Sequence, residues 1–159
     1  MSEGEHRFPF EAEPAEIGLG TEFVTTVRVD AVIEKRVHQI LLRATVRSAA
    51  TFECDRCLDA FTRDLEASYA ILYVTEAHPE ETQDGGPEVQ VISPDTNMID
   101  LDEDVRQYLV LAIPPKLLCS SGCKGLCPSC GANRNRVACS CRNESDDSRW
   151  DALREISGN

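Results

Sequence analysis

The chain is short of several residue types that would point to common activities. Three histidines in 159 residues, His6, His38 and His78, lie far apart and offer neither a histidine-rich metal site nor a paired catalytic base. No apolar run approaches the roughly 18 residues needed to cross a membrane. No glycine-rich phosphate loop is present, because Gly85-Gly86 is followed by neither Lys-Ser/Thr nor a helical pattern. Basic residues are scarce, 16 Lys and Arg against 28 Asp and Glu, giving a net charge of −12 that disfavours nonspecific binding to nucleic acid. Met1 to Gly20 is acidic and lacks the basic start and apolar stretch of an export signal, so the expectation is a soluble, cytoplasmic protein.

What the chain has in excess is cysteine. Six of its eight cysteines fall in Cys119 to Cys141, spaced C-x3-C-x3-C-x2-C-x8-C-x-C, and the other two form Cys54-Asp-Arg-Cys57. In a reducing compartment, close-spaced cysteines are metal ligands or redox centres rather than persistent disulfides. Eight thiolates suit two closed four-sulfur zinc sites, so Cys54, Cys57, Cys119, Cys123, Cys127, Cys130, Cys139 and Cys141 are the expected ligands of two structural Zn2+ ions. Spacing leaves the pairing open. The economical grouping joins Cys127 and Cys130 with Cys139 and Cys141, and brings Cys119 and Cys123 to Cys54 and Cys57. Gly131, directly after Cys130, permits the backbone twist that turns amides toward thiolates. A thioredoxin-type use of Cys54 and Cys57 would need a helix at the motif, but a strand pattern follows.

Length allows about one domain. Residues 1–20, with Pro9, Pro14, Gly18 and Gly20, read as an irregular lead-in. Val27, Val29, Ala31 and Ile33 alternate with Arg28, Asp30, Val32 and Glu34, and Ile40, Leu42, Ala44 and Val46 with Leu41, Arg43, Thr45 and Arg47. Phe61, Leu65, Ala67, Tyr69, Ile71 and Tyr73 then share a face. Period-two alternation predicts half-buried antiparallel strands, with Cys54–Cys57 in the hairpin turn between the second and third. Residues 76–98 read as an acidic loop, with Val89 and Val91 able to form a short edge strand. Asp100 fits an N-cap with Glu103 completing a capping box, and Leu101, Val105, Tyr108, Leu109 and Ala112 recur at helical spacing until Pro114-Pro115. Asp146 to Ile156 reads as a short last helix with Trp150 and Leu153 on one face.

The fold expected is therefore α+β: an antiparallel sheet that could curl into a barrel, with one packed helix in residues 1–118, and a cysteine-rich zinc-binding appendage with a short terminal helix in 119–159. Charge is divided the same way. Residues 76–104 carry ten acids and no base, and residues 116–143 carry five bases and no acid. A four-thiolate zinc site has a formal charge of about −2, so two sites offset most of those bases. Lys124, Arg134, Arg136 and Arg142 remain the candidate partner- or RNA-contacting residues, while the acidic segment could attract a basic partner. Closed four-sulfur sites leave no open position for a catalytic water, and no other catalytic constellation emerges, so no enzyme is expected.

Taken together, Cys54-Asp-Arg-Cys57-Leu58, Asp100-Leu101 before the helix ending at Pro114, Cys119 and Cys123-Lys124-Gly125-Leu126-Cys127-Pro128-Ser129-Cys130-Gly131, Asn133-x-Asn135, Cys139-x-Cys141 and Arg149-Trp150 with Leu153 resemble the YceD family. The resemblance runs from about Phe52 to Leu153. It implies a non-enzymatic factor supporting large-subunit ribosomal RNA accumulation or ribosome assembly, with ribosomal RNA, a ribosomal protein or an assembly intermediate as partner and no membrane or small-molecule substrate. Arg134 stands where similar sequences are usually apolar, and the N-terminal region looks shorter than is usual. The rival classes are a zinc-dependent thiol sensor and a zinc-ribbon regulatory binding protein, the latter disfavoured on DNA by the net charge.

Overall fold

A computed structural model describes residues 2–37, 39–75 and 86–141. Five strands and one helix follow one another: β1 Gly4–Ala12, β2 Val27–Lys35, β3 Gln39–Glu53, β4 Ala60–Val74, β5 Glu88–Val91 and α1 Asp102–Leu111. The strands lie in the sheet in chain order. From β1 to β4 each pair is antiparallel.

Alternation explains the central strands. Ile33, Leu42 and Ile71 form one cross-strand row, and Ala31, Ala44 and Tyr69 the next. These rows face a core completed by Val27, Val29, Val46, Leu65 and Tyr73, with Val105 and Leu109 of α1 laid over it. Successive side chains point to opposite faces, so Arg28, Asp30, Thr45, Arg47, Glu66 and Ser68 make a polar patch on the other face, beside Val32, Leu41, Ala70 and Leu72. There Arg28 pairs with Glu11 at 3.1 Å, and Arg47 bridges Asp30 at 2.9 Å and Glu66 at 2.7 Å. Such exposed pairs contribute about 0–1 kcal/mol each. They also leave the arginines of this face neutralised by adjacent acids.

Four expectations need correction. The first twenty residues are not an irregular lead-in: Gly4–Ala12 pairs with β2 along its length, and Ile17 and Leu19 are buried in the core. A sheet edge tolerates Pro9 and the exposed Glu5, Arg7 and Glu11, because one side of the strand faces water. Second, the sheet is open rather than barrel-like, with β1 and β5 at its two edges. Third, it is not wholly antiparallel. β5 runs parallel to β4, with Ile71 opposite Glu88 and Val74 opposite Val91. The chain between them is long enough, about a dozen residues, to return to the same end of the sheet as a parallel pair requires.

The fourth correction concerns the start of α1. Leu101 is the N-cap and has no side-chain capping bond. Asp100 instead accepts from the Asp102 N–H at 3.0 Å, one step ahead of the helix, and Glu103 turns outward to Arg106 and Gln107. Arg106 and Gln107 together hold the Glu103 carboxyl down to about 2. The helix ends at Leu111, ahead of Pro114. It is anchored by Tyr108 stacked on Tyr69, ring centroids 4.2 Å apart and 5° from parallel. The short helix expected over Asp146–Ile156, with Trp150 and Leu153, lies outside the described residues.

Candidate metal centre

The β3–β4 turn, Cys54 to Asp59, reverses a pair of fifteen-residue strands at the end of the sheet. The Cys57-Leu58 step lets the turn double back so that Leu58 N–H donates to the Cys54 carbonyl at 2.9 Å and Cys54 N–H to the Asp59 carbonyl at 3.0 Å. The stretch after α1 repeats this geometry. Gly131 N–H donates to the Cys127 carbonyl at 2.8 Å, and Cys127 N–H to the Ala132 carbonyl at 2.8 Å. Both turns require a left-handed residue directly after the second cysteine, Gly131 at φ 71° and Leu58 at φ 60°. Glycine takes that conformation freely, while leucine is strained there by roughly 1–2 kcal/mol.

Each turn collects two further cysteines. The sulfurs of Cys54, Cys57, Cys119 and Cys123 lie within 4.8 Å of one another, as do those of Cys127, Cys130, Cys139 and Cys141. Cys54 and Cys123 sulfurs are 3.8 Å apart and those of Cys57 and Cys119 3.7 Å. In the second group Cys139 is 3.5 Å from Cys130 and 3.4 Å from Cys127. A tetrahedral thiolate site with metal–sulfur bonds of about 2.3 Å separates its sulfurs by about 3.8 Å, whereas a disulfide requires about 2.05 Å. All eight thiols are free, so each tetrad fits a closed four-sulfur metal site and neither is a disulfide pair.

Electrostatics within each tetrad argue the same way. Burial opposes ionisation of Cys54, but N–H groups of Cys119, Arg56 and Cys57 outweigh it and lower the thiol to about 6. Cys57 receives the Asp59 N–H, yet burial and the three neighbouring sulfurs push it up to about 12. The second group repeats the split: N–H groups of Cys130 and Ser129 bring Cys127 to about 6, while the Cys139, Cys130 and Cys127 thiols push Cys141 up to about 12. Four crowded sulfurs cannot all ionise without a cation among them. A divalent metal removes that repulsion.

The inner tetrad, on Cys54 and Cys57, is tied into the fold. Asp55 N–H donates to the Leu117 carbonyl at 2.8 Å, and the Asp55 carboxylate accepts from Leu117 N–H at 2.7 Å. Arg56 donates to the Cys123 carbonyl at 2.9 Å while its own carbonyl accepts from Leu126 N–H at 2.9 Å. Gly125, at φ 72°, makes this crossing possible, since a Cβ there would lie 2.9 Å from the Arg56 carbonyl oxygen. Phe61 and Leu118 pack beneath the sulfurs.

Of the candidate partner residues, Lys124 and Arg134 are brought together. Both are exposed, Arg134 N–H donates to the Gly125 carbonyl at 3.0 Å, and neither side chain bonds another described residue. Arg136 is differently placed, paired with Asp59 at 3.0 Å. Arg142 lies outside the described residues. Sequence reasoning missed Asp55, Asp59 and Asn135 as supports of the centre. Asp55 lies inside Cys54-x-x-Cys57 and could have been suspected, but Asp59 meets Asn133 across 74 positions with no local signal.

The sequence matches the family described as Large ribosomal RNA subunit accumulation protein YceD over residues 42–157. It is 24% identical over 153 residues to the protein named Large ribosomal RNA subunit accumulation protein YCED homolog 1, chloroplastic, of Arabidopsis thaliana, covering 81% of this chain and 48% of the relative. The Zea mays protein of the same name is 28% identical, covering 82% and 56%. An uncharacterized protein of Mycobacterium tuberculosis is 29% identical over 149 residues, covering 91% and 70%. The chain thus spans about half the length of the plant relatives it matches. No solved structure matches it significantly. With well over half of its residues inside the family match, and both cysteine tetrads among them, the chain belongs to the YceD family.

Proposed function

We propose that this chain is a non-enzymatic factor that supports accumulation of large-subunit ribosomal RNA, acting by binding that RNA, a ribosomal protein or an assembly intermediate. The family match carries the reading: the family and its plant members are named for this accumulation. On this reading the two tetrads hold structural Zn2+. Eight thiolates in two closed sets suit an ion of tetrahedral habit without redox chemistry, and reduced thiols fit a cytoplasmic location. Residues 1–118 act as the body and 119–159 as the appendage that the inner tetrad fixes to it.

The contact surface in this reading is the exposed pair Lys124, between the two tetrads in sequence, and Arg134, in the Cys130–Cys139 loop, with Arg142 also in the basic segment. The polar sheet face supports it less, because its arginines are paired with Glu11, Asp30 and Glu66. The test is affinity purification from the native cell, comparing the wild-type chain with Lys124→Glu/Arg134→Glu. Large-subunit ribosomal RNA or its proteins should accompany the wild type in a salt-dependent manner. The variant should recover several-fold less while keeping its metal. A wild-type sample free of ribosomal material would refute the reading.

A further inference from the structure

The loop between Cys130 and Cys139 belongs by chain to the outer tetrad, yet its side chains serve the inner one. Asn135 Nδ2–H donates to Cys123 Sγ at 3.3 Å, and Asn135 Oδ1 accepts from Lys124 N–H at 2.8 Å. Asn135 N–H in turn donates to Asn133 Oδ1 at 3.0 Å. Asn133 Nδ2–H donates to Asp59 Oδ2 at 2.8 Å, and Arg136 reaches Asp59 Oδ1 at 3.0 Å. Leu126 and Asn133 add an isolated antiparallel bridge. One short segment therefore grips a sulfur of the inner tetrad and the residue that closes its turn.

Both ends of that segment are outer-tetrad cysteines. Gathering Cys127, Cys130, Cys139 and Cys141 about one ion closes the segment into a small ring and restricts its backbone before it meets the inner site. With the outer tetrad empty, the same hydrogen bonds must order a free loop, and part of their strength goes to that ordering. From this juxtaposition we infer that Asn135 is a positioning residue that links the two thiolate centres, so that filling the outer tetrad tightens metal binding at the inner one. The linkage is reciprocal: inner loading tightens the outer site by the same factor. The inference rests on both tetrads binding metal.

The test measures cadmium loading of the full chain by chelator competition, with 113Cd NMR resolving one resonance per tetrad. The variants are Cys130→Ser/Cys141→Ser, Asn135→Ala, Asn135→Asp and the Asn135→Ala combination with the double serine change. Loss of a group hydrogen-bonded to a ligand typically costs 10- to 100-fold in metal affinity. Emptying the outer tetrad should weaken the inner site about 10-fold or more, Asn135→Ala should do likewise, and the combination should be no worse than the larger single effect. Asn135→Asp keeps shape and acceptor but loses the N–H donor, so it should behave like Asn135→Ala and shift the inner resonance while the folded far-ultraviolet spectrum stays unchanged. Additive losses, an inner affinity indifferent to the outer tetrad, or wild-type behaviour of Asn135→Asp would each overturn the linkage while leaving two metal sites intact. A chain that binds no metal overturns both the linkage and the zinc reading.

Discussion

The two tetrads share a knuckle but differ in where their ligands come from. The outer one draws all four sulfurs from Cys127 to Cys141, and Cys130 and Cys141 are exposed. The inner one joins a hairpin to the segment after α1, 69 positions apart from Cys54 to Cys123, with Cys54 fully buried, Cys57 and Cys123 3% exposed and Cys119 at the surface. A cross-link restrains the unfolded chain by a term that grows with the loop it closes. Closing the inner loop rather than a ten-residue one is worth about 1.5 kcal/mol more on that term alone. With a metal in each, the same four-sulfur chemistry would be a fastener between distant segments in one place and a local clip in the other.

The strongest way to break this contrast is to remove one ligand from each. Cys123→Ser should detach the appendage from the β3–β4 turn and lower the chelator-sensitive stability by several kcal/mol. Cys141→Ser should cost clearly less. Equal losses in denaturant titrations would remove the distinction between fastener and clip. Kinetics offer a second route: an alkylating reagent should reach the exposed Cys119, Cys130 and Cys141 before the buried Cys54, Cys57 and Cys123, as read by peptide mass mapping.

The glycines give a finer comparison. Gly125→Ala places its Cβ against the Arg56 carbonyl in a left-handed backbone and should cost about 2–3 kcal/mol, strain plus clash. Gly131→Ala meets nothing within 4 Å and should cost only the conformational strain, about 1 kcal/mol. At the equivalent position of the inner knuckle, Leu58→Gly removes strain and should be neutral or stabilising by up to about 1 kcal/mol. Thermal denaturation of the three variants under constant metal would reverse the argument if Gly131→Ala proved the most damaging.

How much of this the sequence reveals depends on distance along the chain. Alternation in Val27–Ile33, Ile40–Val46 and Phe61–Tyr73 makes β2, β3 and β4 legible, since each strand has one core face and one wet face. It does not make β1 legible, because an edge strand with acids and Pro9 shows little contrast. Nor does it settle sheet closure or the direction of β5, which depend on which edges meet. Spacing marks the eight cysteines as a metal-type set but leaves their pairing open, and the two tetrads become visible only once the β3–β4 turn meets the segment after α1. The supports are no more legible: Leu58 shows no outward sign of its left-handed backbone, and Asn135 and Asp59 gain their meaning only when the knuckles are brought together.

Another small effect lies in the body and leaves both tetrads untouched. Tyr69 is 6% exposed and its hydroxyl finds no hydrogen-bond partner among the described residues. Tyr69→Phe should therefore stabilise by about 1 kcal/mol without altering metal content. Burial, with Asp104 nearby, pushes both Tyr69 and Tyr73 above the ordinary tyrosine value. The unfolded chain ionises these groups near pH 10 and the folded one does not, so stability present below about pH 10 falls as pH rises beyond it. Denaturant titrations at pH 9 and above should show that fall, shallower in Tyr69→Phe. An unchanged slope would assign the alkaline loss to other groups.

Native mass spectrometry of the full chain, purified under reducing conditions without added metal, bears most directly on the two-centre architecture. Two zinc ions should be bound with all eight cysteines as thiolates, and progressive chelation should pass through a one-zinc species that retains the inner tetrad. A metal-free chain, a single ion at saturation, or a mass showing disulfides would contradict it.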